Sequence, residues 1–414
     1  MRATKDSGFE WIGIIPSEWG LSRIGQVYRL RNMKVSDTDY PPLSVTNKGI
    51  VPQLDTAAKT NAHDDRKLVK KGDFAINSRS DRRGSCGISD YDGSVSLINT
   101  ILAPLNEMNP GYYDWLFHTV QFGDEFYKFG HGIVDDLWTT GWQEMKKITI
   151  PTPPLSEQKR IADFLDTKCA EIDALTADIQ AQIDTLEQYK RSVITETVTK
   201  GLNPATEAKD SGIEWVGRIP AHWPIHPVYS YYGERKNKNR LGKEDNLLSL
   251  SYGRVIRKDI NTNDGLLPES FNTYNIVEAG DIIIRPTDLQ NDKRSLRTGL
   301  VKEHGIITSA YIDLCPLKQV DSRYFHFLLH AYDVMKVFYN MGNGVRQGLN
   351  YSEFSRLMVF EPPYEEQVAM ADYLETKVTE VDAIIEQKKE QMAVLDAYKR
   401  SLIFEYVTGK KEVV

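Results

Sequence analysis

Two stretches of the 414-residue chain concentrate side chains able to address a polyanion. Residues 77–85 read Asn-Ser-Arg-Ser-Asp-Arg-Arg-Gly-Ser, and residues 285–294 read Arg-Pro-Thr-Asp-Leu-Gln-Asn-Asp-Lys-Arg. Guanidinium and ammonium groups donate to guanine edges and phosphates, and carboxamides match adenine, so this composition on a loop suits contact with bases and backbone. The candidates are Arg79, Arg82 and Arg83 in the first stretch, and Arg285, Gln290, Asn291, Lys293 and Arg294 in the second. Another matched pair of loops adds Asn47 and Lys48 after Leu-Ser-Val-Thr, and Tyr252 and Arg254 after Leu-Ser-Leu-Ser. Arg346 follows Gly342-Asn343-Gly344, where the glycines suit helix termination as well as approach to a phosphate. Each residue alone would also suit a solvated surface; the matched placement singles them out.

Enzymatic motifs fare worse. Glu361-Pro362-Pro363-Tyr364 looks like the catalytic tetrapeptide of adenine methyltransferases, in which Asn or Asp precedes Pro-Pro-Tyr/Phe. Its first residue is Glu, the equivalent Thr152-Pro153-Pro154-Leu155 keeps neither end, and no Gly-rich cofactor loop follows a buried strand. There is no Gly-x-x-x-x-Gly-Lys phosphate loop either. His118 and His330 read as helix-surface or core residues, not as a catalytic pair. Cys86, Cys169 and Cys315 are isolated, which argues against a zinc site and a disulfide framework.

The elements that must position the loops are duplicated. Residues 153–199 and 362–408 each open with Pro-Pro, continue to Glu157-Gln158 or Glu366-Gln367, and end in a Tyr-Lys-Arg-Ser block. Two long helices with the same start and stop are expected. Leu165, Ile172, Ile179, Leu186 and Val193 recur every seven residues, as do Leu374, Val381, Lys388, Leu395 and Leu402. That period is a coiled-coil seam, and it predicts that the two helices pair. A companion seam is expected at Lys168, Leu175, Gln182 and Tyr189, matched by Lys377, Ile384, Gln391 and Tyr398. On that expectation, Lys168 with Lys377 and Gln182 with Gln391 are polar breaks that fix register.

A mixed region precedes each helix. Residues 5–19 and 209–223 share Asp-Ser-Gly, Glu-Trp, Gly, Ile-Pro and Trp, a turn-rich clip with aromatic anchors. Strands are expected at Leu-Ser-Val-Thr-Asn-Lys-Gly, Gly-Asp-Phe-Ala-Ile-Asn-Ser and Ser-Leu-Ile-Asn-Thr-Ile-Leu-Ala-Pro-Leu, followed by a helix over 112–129. The same order returns in the second half, ending in a helix over 324–340. The architecture is therefore α+β: two similar mixed α/β domains, 1–152 with its clip and 204–361, alternating with long helices at 153–203 and 362–414. Common cores with differing loops suit two heads on one scaffold with different readouts.

Charge follows the same division. Residues 23–83 hold 13 Lys/Arg against 7 Asp/Glu, whereas residues 364–414 hold 7 against 11. Basic heads and acidic arms suit a polyanion and a protein partner, respectively. No run of about eighteen apolar residues occurs, which predicts no membrane span and a cytoplasmic location.

The duplicated Pro-Pro-x-x-Glu-Gln starts, the Tyr-Lys-Arg-Ser ends, and the Gly72-Asp73-Phe74 and Gly280-Asp281-Ile282 strands resemble the specificity subunits of type I restriction-modification systems. The resemblance covers the whole chain. It implies an intramolecular antiparallel coiled coil, an approximate two-fold repeat, and one target recognition domain for each half of a split DNA site. It further implies a non-catalytic subunit that binds no cofactor itself. Two modification subunits would bind S-adenosylmethionine and methylate adenine, and restriction subunits would join them. The alternatives are a DNA adenine methyltransferase with a divergent site and a coiled-coil scaffold.

Overall fold

The computed structural model describes residues 2–53, 63–79, 84–132, 138–261, 270–287, 289, 296–341 and 348–413, with backbone only at 339 and 340. It divides into two compact units, Met1–Gln180 with Lys389–Val414, and Ala181–Lys388. The long helices are Leu155–Lys200 and Tyr364–Val407. Among the described residues, no helix is long and apolar enough to cross a membrane.

In the first unit, four antiparallel strands lie in the order Cys86–Ile88, Phe74–Asn77, Asn99–Pro104, Tyr28–Leu30. The hairpin Leu43–Thr46/Gly49–Pro52 and the three-stranded sheet Gly93–Ser96, Arg66–Val69, Lys34–Val35 complete the β structure around it. The helix expected over 112–129 is two helices, Pro110–Phe117 and Val120–Lys128. Thr119 divides them: its extended backbone ends one helix, and its hydroxyl accepts from Phe122 N at 3.2 Å to cap the next. The core joins Trp19, Tyr28, Phe74, Tyr112 and Phe117 to Leu165 of one long helix and Leu402 and Val407 of the other.

The second unit repeats the sheet order as Thr298–Leu300, Ile282–Ile284, Ile312–Pro316, Tyr232–Glu234. Its helix Ser322–Val334 stops short of the expected 340, because Lys336 takes a left-handed φ of 63° and a 3₁₀ turn, Val337–Asn340, follows. The core gathers Trp223, Tyr231, Tyr324, Leu328 and Phe360 with Val198 and Leu374.

The Gly-Asp strand start has one structural explanation in both units. Gly72 and Gly280 turn with φ of 86° and 97°, which a residue with a Cβ avoids. The following carboxylate then accepts twice from one guanidinium. Asp281 takes Arg235 Nε at 2.7 Å and Nη2 at 2.9 Å, and Asp73 takes Arg31 likewise.

Within each unit the long helices run antiparallel. In the second unit Gln182 accepts from Lys388 and Lys190 donates to Asp382 at 2.8 Å; in the first, Phe164 packs on Tyr406 and Lys399 donates to Asp173 at 2.6 Å. The heptad residues Leu165, Ile172, Ile179, Leu374, Val381 and Leu402 are buried, and Leu186, Val193 and Leu395 half-buried.

The companion seam is corrected. The buried companions lie four residues after the stripe, at Cys169, Ile183 and Ile385, while Leu175, Tyr189, Ile384 and Tyr398 are exposed. On a helix the +4 position lies about 40° to one side of a seven-residue stripe and the +3 position about 60° to the other. Spacing alone does not choose between them; the packed neighbours do. Lys168 and Lys377 accordingly pair with Glu171 and Glu380 on their own helices, and Gln391 is exposed. Polar positions that cross the seam include Lys190 and Lys399, the lysines of the two Tyr-Lys-Arg-Ser blocks, and the Gln182–Lys388 pair.

Candidate nucleic-acid interface

Each head is fixed to a helix start by the Glu-Gln pair. In the first unit, Trp19 Nε1 donates to Glu157 Oε2 at 2.9 Å, and Arg2 donates to the same carboxylate. Gln158 donates to Pro153 O at 2.8 Å and accepts from Asn109 N at 2.9 Å, so it ties the Pro-Pro to the cap of helix Pro110–Phe117. The second unit repeats this with Trp223 on Glu366 at 2.9 Å, and with Gln367 between Pro362 O and Asp321 N. The tryptophans of the clip are thus anchors, with Trp19 and Trp223 fully buried. Pro363 O accepts from Glu366 N and Gln367 N, which makes the Pro-Pro-Tyr stretch a helix start.

On these anchored scaffolds the matched loops meet. In the first head the turn at Asn47 and Lys48, both exposed, ends at Gly49, which lies so close to Gly87 that a Cβ there would stand 2.7 Å from Gly49 Cα. Gly87 belongs to the strand that follows residues 77–85. Arg79 is exposed beside it, with its N–H on Asn77 Oδ1 at 3.0 Å and a strand-like bridge to Thr139. Beneath it lies a cavity of about 210 Å³ lined by Asn77, Arg79, Cys86, Phe117, Phe122 and Phe126. Arg82 and Arg83 lie outside the described residues.

In the second head the turn at Tyr252 and Gly253 packs against Leu296, and Arg285 is half-buried with its N–H on Arg297 O at 2.8 Å. Arg297 itself is fully buried, and its guanidinium donates to Thr287 O, bracing the loop from below. Sequence reasoning missed Arg297; a lone arginine gives no signal of burial. Gln290, Asn291, Lys293, Arg294 and Arg346 lie outside the described residues. Arg254 is engaged by Asp382 of the second long helix, so it braces the turn where the sequence suggested a free cation.

Titration of the interior bears on stability, not on chemistry. Burial pushes His326 down to about 3 and His330 to about 4, so both are neutral, half-buried helix residues. Asp313 is buried with neither carboxyl oxygen hydrogen-bonded among the described residues, and Arg235 Nε stands 3.9 Å away. Burial, with the charge of Asp281, pushes its carboxyl up to about 8. Among the described residues, no cluster of His, Cys, Asp and Glu could hold a metal.

Residues 16–185 match the family model for the type I restriction modification DNA specificity domain. The chain is 25% identical over 276 residues to the putative type I restriction enzyme MjaX specificity subunit of Methanocaldococcus jannaschii, covering 65% of this chain and 61% of that protein. It is also 25% identical over 349 residues to the MjaVIII specificity subunit of the same organism, covering 78% and 76%. The chain is thus similar to type I specificity subunits, over its first specificity domain and across most of its length. Solved structures share the fold. A chain from work on complex assembly and conformational transition of the type I R-M system superposes with a TM-score of 0.72 at 13% identity, over 96% of this chain and 99% of that one. The HsdS subunit of Thermoanaerobacter tengcongensis gives 0.52 at 14%, over 96% and 98%.

Proposed function

We propose that this chain is the DNA-recognition subunit of a type I restriction-modification complex, each head reading one half of a bipartite duplex target. The observation that carries this is the duplication itself. The Trp–Glu and Gln–Pro clamps, the Gly-Asp turn and the sheet order recur in both heads, while the loops at the sheet end differ in length and sequence. A repeated scaffold bearing unlike loops suits two related but distinct half-sites.

The paired long helices would set the separation of the half-sites and dock two modification subunits. A duplicated exposed strip supports two copies of one partner: Leu175 and Tyr398 in the first unit are matched by Ile384 and Tyr189 in the second, with Lys168 exposed and Lys377 half-buried beside them. Those subunits would bind S-adenosylmethionine and supply methyl transfer, restriction subunits would join the assembly, and the complex would work in the cytoplasm, where its DNA lies. This chain would transfer nothing itself.

Two measurements test this. Affinity of the assembled complex for target duplex should fall linearly with salt on logarithmic axes, as phosphate contacts require; a slope near zero would exclude them. The chain alone, given target duplex and labelled S-adenosylmethionine, should transfer no methyl group, and transfer without a partner would refute the subunit assignment.

A further inference from the structure

We infer that Tyr252 is a stacking residue whose ring packs on a base of the duplex at the half-site read by the second head; this rests on the DNA-recognition function proposed above. Tyr252 and Gly253 form the two-residue turn between strands Leu248–Ser251 and Arg254–Arg257, with Ser251 opposite Arg254. Both have positive φ, 45° and 78°. A turn of two left-handed residues is of type I′, whose first position favours Asn or Gly because a bulkier residue crowds its own backbone there. Tyrosine is therefore a poor choice for folding.

Nor does the ring serve packing. Tyr252 is 89% exposed, more than any other large apolar side chain among the described residues. The backbone beneath it is nonetheless held from two sides. Gly253 lies against Leu296, and Arg254 reaches Asp382 on the second long helix. Asp382 and Ile384 are two residues apart, about 200° around a helix. The turn therefore meets that helix on the side away from the exposed Ile384 strip, and the ring is separate from the face proposed to dock protein partners.

An exposed ring on a disfavoured but braced backbone, its flanking Arg254 and Arg257 held by Asp382 and Glu303, has the chemistry of a base-stacking platform. In a duplex the ring reaches a base face only where a step is wedged open or a base is turned out, and since every base has a π face the contact adds affinity with little sequence preference. The first head differs. Its turn presents Asn47 and Lys48, and the positive φ of 94° falls on Gly49.

The test uses the full chain assembled with its host's modification subunits, a random-sequence duplex library to define the bound sequence, and that sequence as the labelled probe. Tyr252→Asn is the discriminating variant, because Asn suits the turn. It should melt at an equal or higher temperature, select the same sequence, and bind roughly tenfold more weakly, whereas Tyr252→Phe should bind like the unaltered complex. 2-Aminopurine scanned through the probe should change fluorescence at one position with Tyr252 and not with Y252N. Unchanged affinity of Y252N would overturn the inference while leaving DNA recognition intact. Salt-independent binding by the unaltered complex would overturn both. If Y252N kept its DNA affinity but lost co-purification with the modification subunits, the ring would belong to a protein contact and the inference would fall.

Discussion

The hydroxyl of Tyr112 donates to the backbone carbonyl of Val407 at 2.8 Å, although 295 residues separate them. The last turn of the second long helix is thereby capped by a side chain from the first head. In the second unit Tyr324 repeats this on Val198 at 3.3 Å, capping the end of the first long helix. Each head is thus built on the start of its own helix and the end of the other.

Removing either cap should loosen one unit selectively. Tyr112→Phe leaves a buried carbonyl without its donor, which costs about 1–2 kcal/mol. Hydrogen exchange should rise in residues 1–180 and 389–414 and stay unchanged in the second unit. Gly409→Ala should cost at least as much in the same unit, because Gly409 has φ of 69° and a Cβ would collide with the Pro16 ring.

Acid should release the clip. Burial works against the charge on Glu157, but hydrogen bonds from Arg2 and Trp19 outweigh it and hold the carboxyl below its usual 4.5. A depressed folded-state value contributes stability that is present above the unfolded value and lost as pH falls through the folded one. Trp19 emission should therefore shift red on acidification below about 4.5. Glu157→Gln, which weakens both contacts, should show that shift at neutral pH.

Asp313 predicts the opposite slope in the second unit. Its carboxyl is raised to about 8, so folding takes up a proton, and stability falls as pH climbs from 3.8 towards 8. The sheet register places Asp313 opposite Ile283 where the first head has Ile101 opposite Ala75. Asp313→Ile should stabilise the second unit by roughly 1–3 kcal/mol at pH 8 and by less at pH 5, as calorimetry would show.

The spacing role predicts a change in the target. One heptad inserted in each long helix, in matched register so that Lys190–Asp382 and Lys399–Asp173 persist, adds about 10 Å of helix. Sequencing of methylated host DNA should reveal a longer unread spacer, by at most about 3 base pairs, flanked by the same half-sites. An unchanged spacer would refute the ruler.

The sequence alone determined whatever depends on local chemistry or on repetition. Pro-Pro can only start these helices, seven-residue spacing marks their seam, and two copies of each motif define two heads. The +3 and +4 flanks of the stripe look alike in sequence, and the structure chose +4 because the packed neighbours lie there. The helix expected over 112–129 broke because Thr119 caps as well as it continues. Arg254 and Arg297 look like any cations until Asp382 and Thr287 O are seen to hold them. Only the tertiary structure could join Trp19 to Glu157 and Tyr112 to Val407, because a hydrogen bond depends on where the chain returns in space and leaves no period in the sequence.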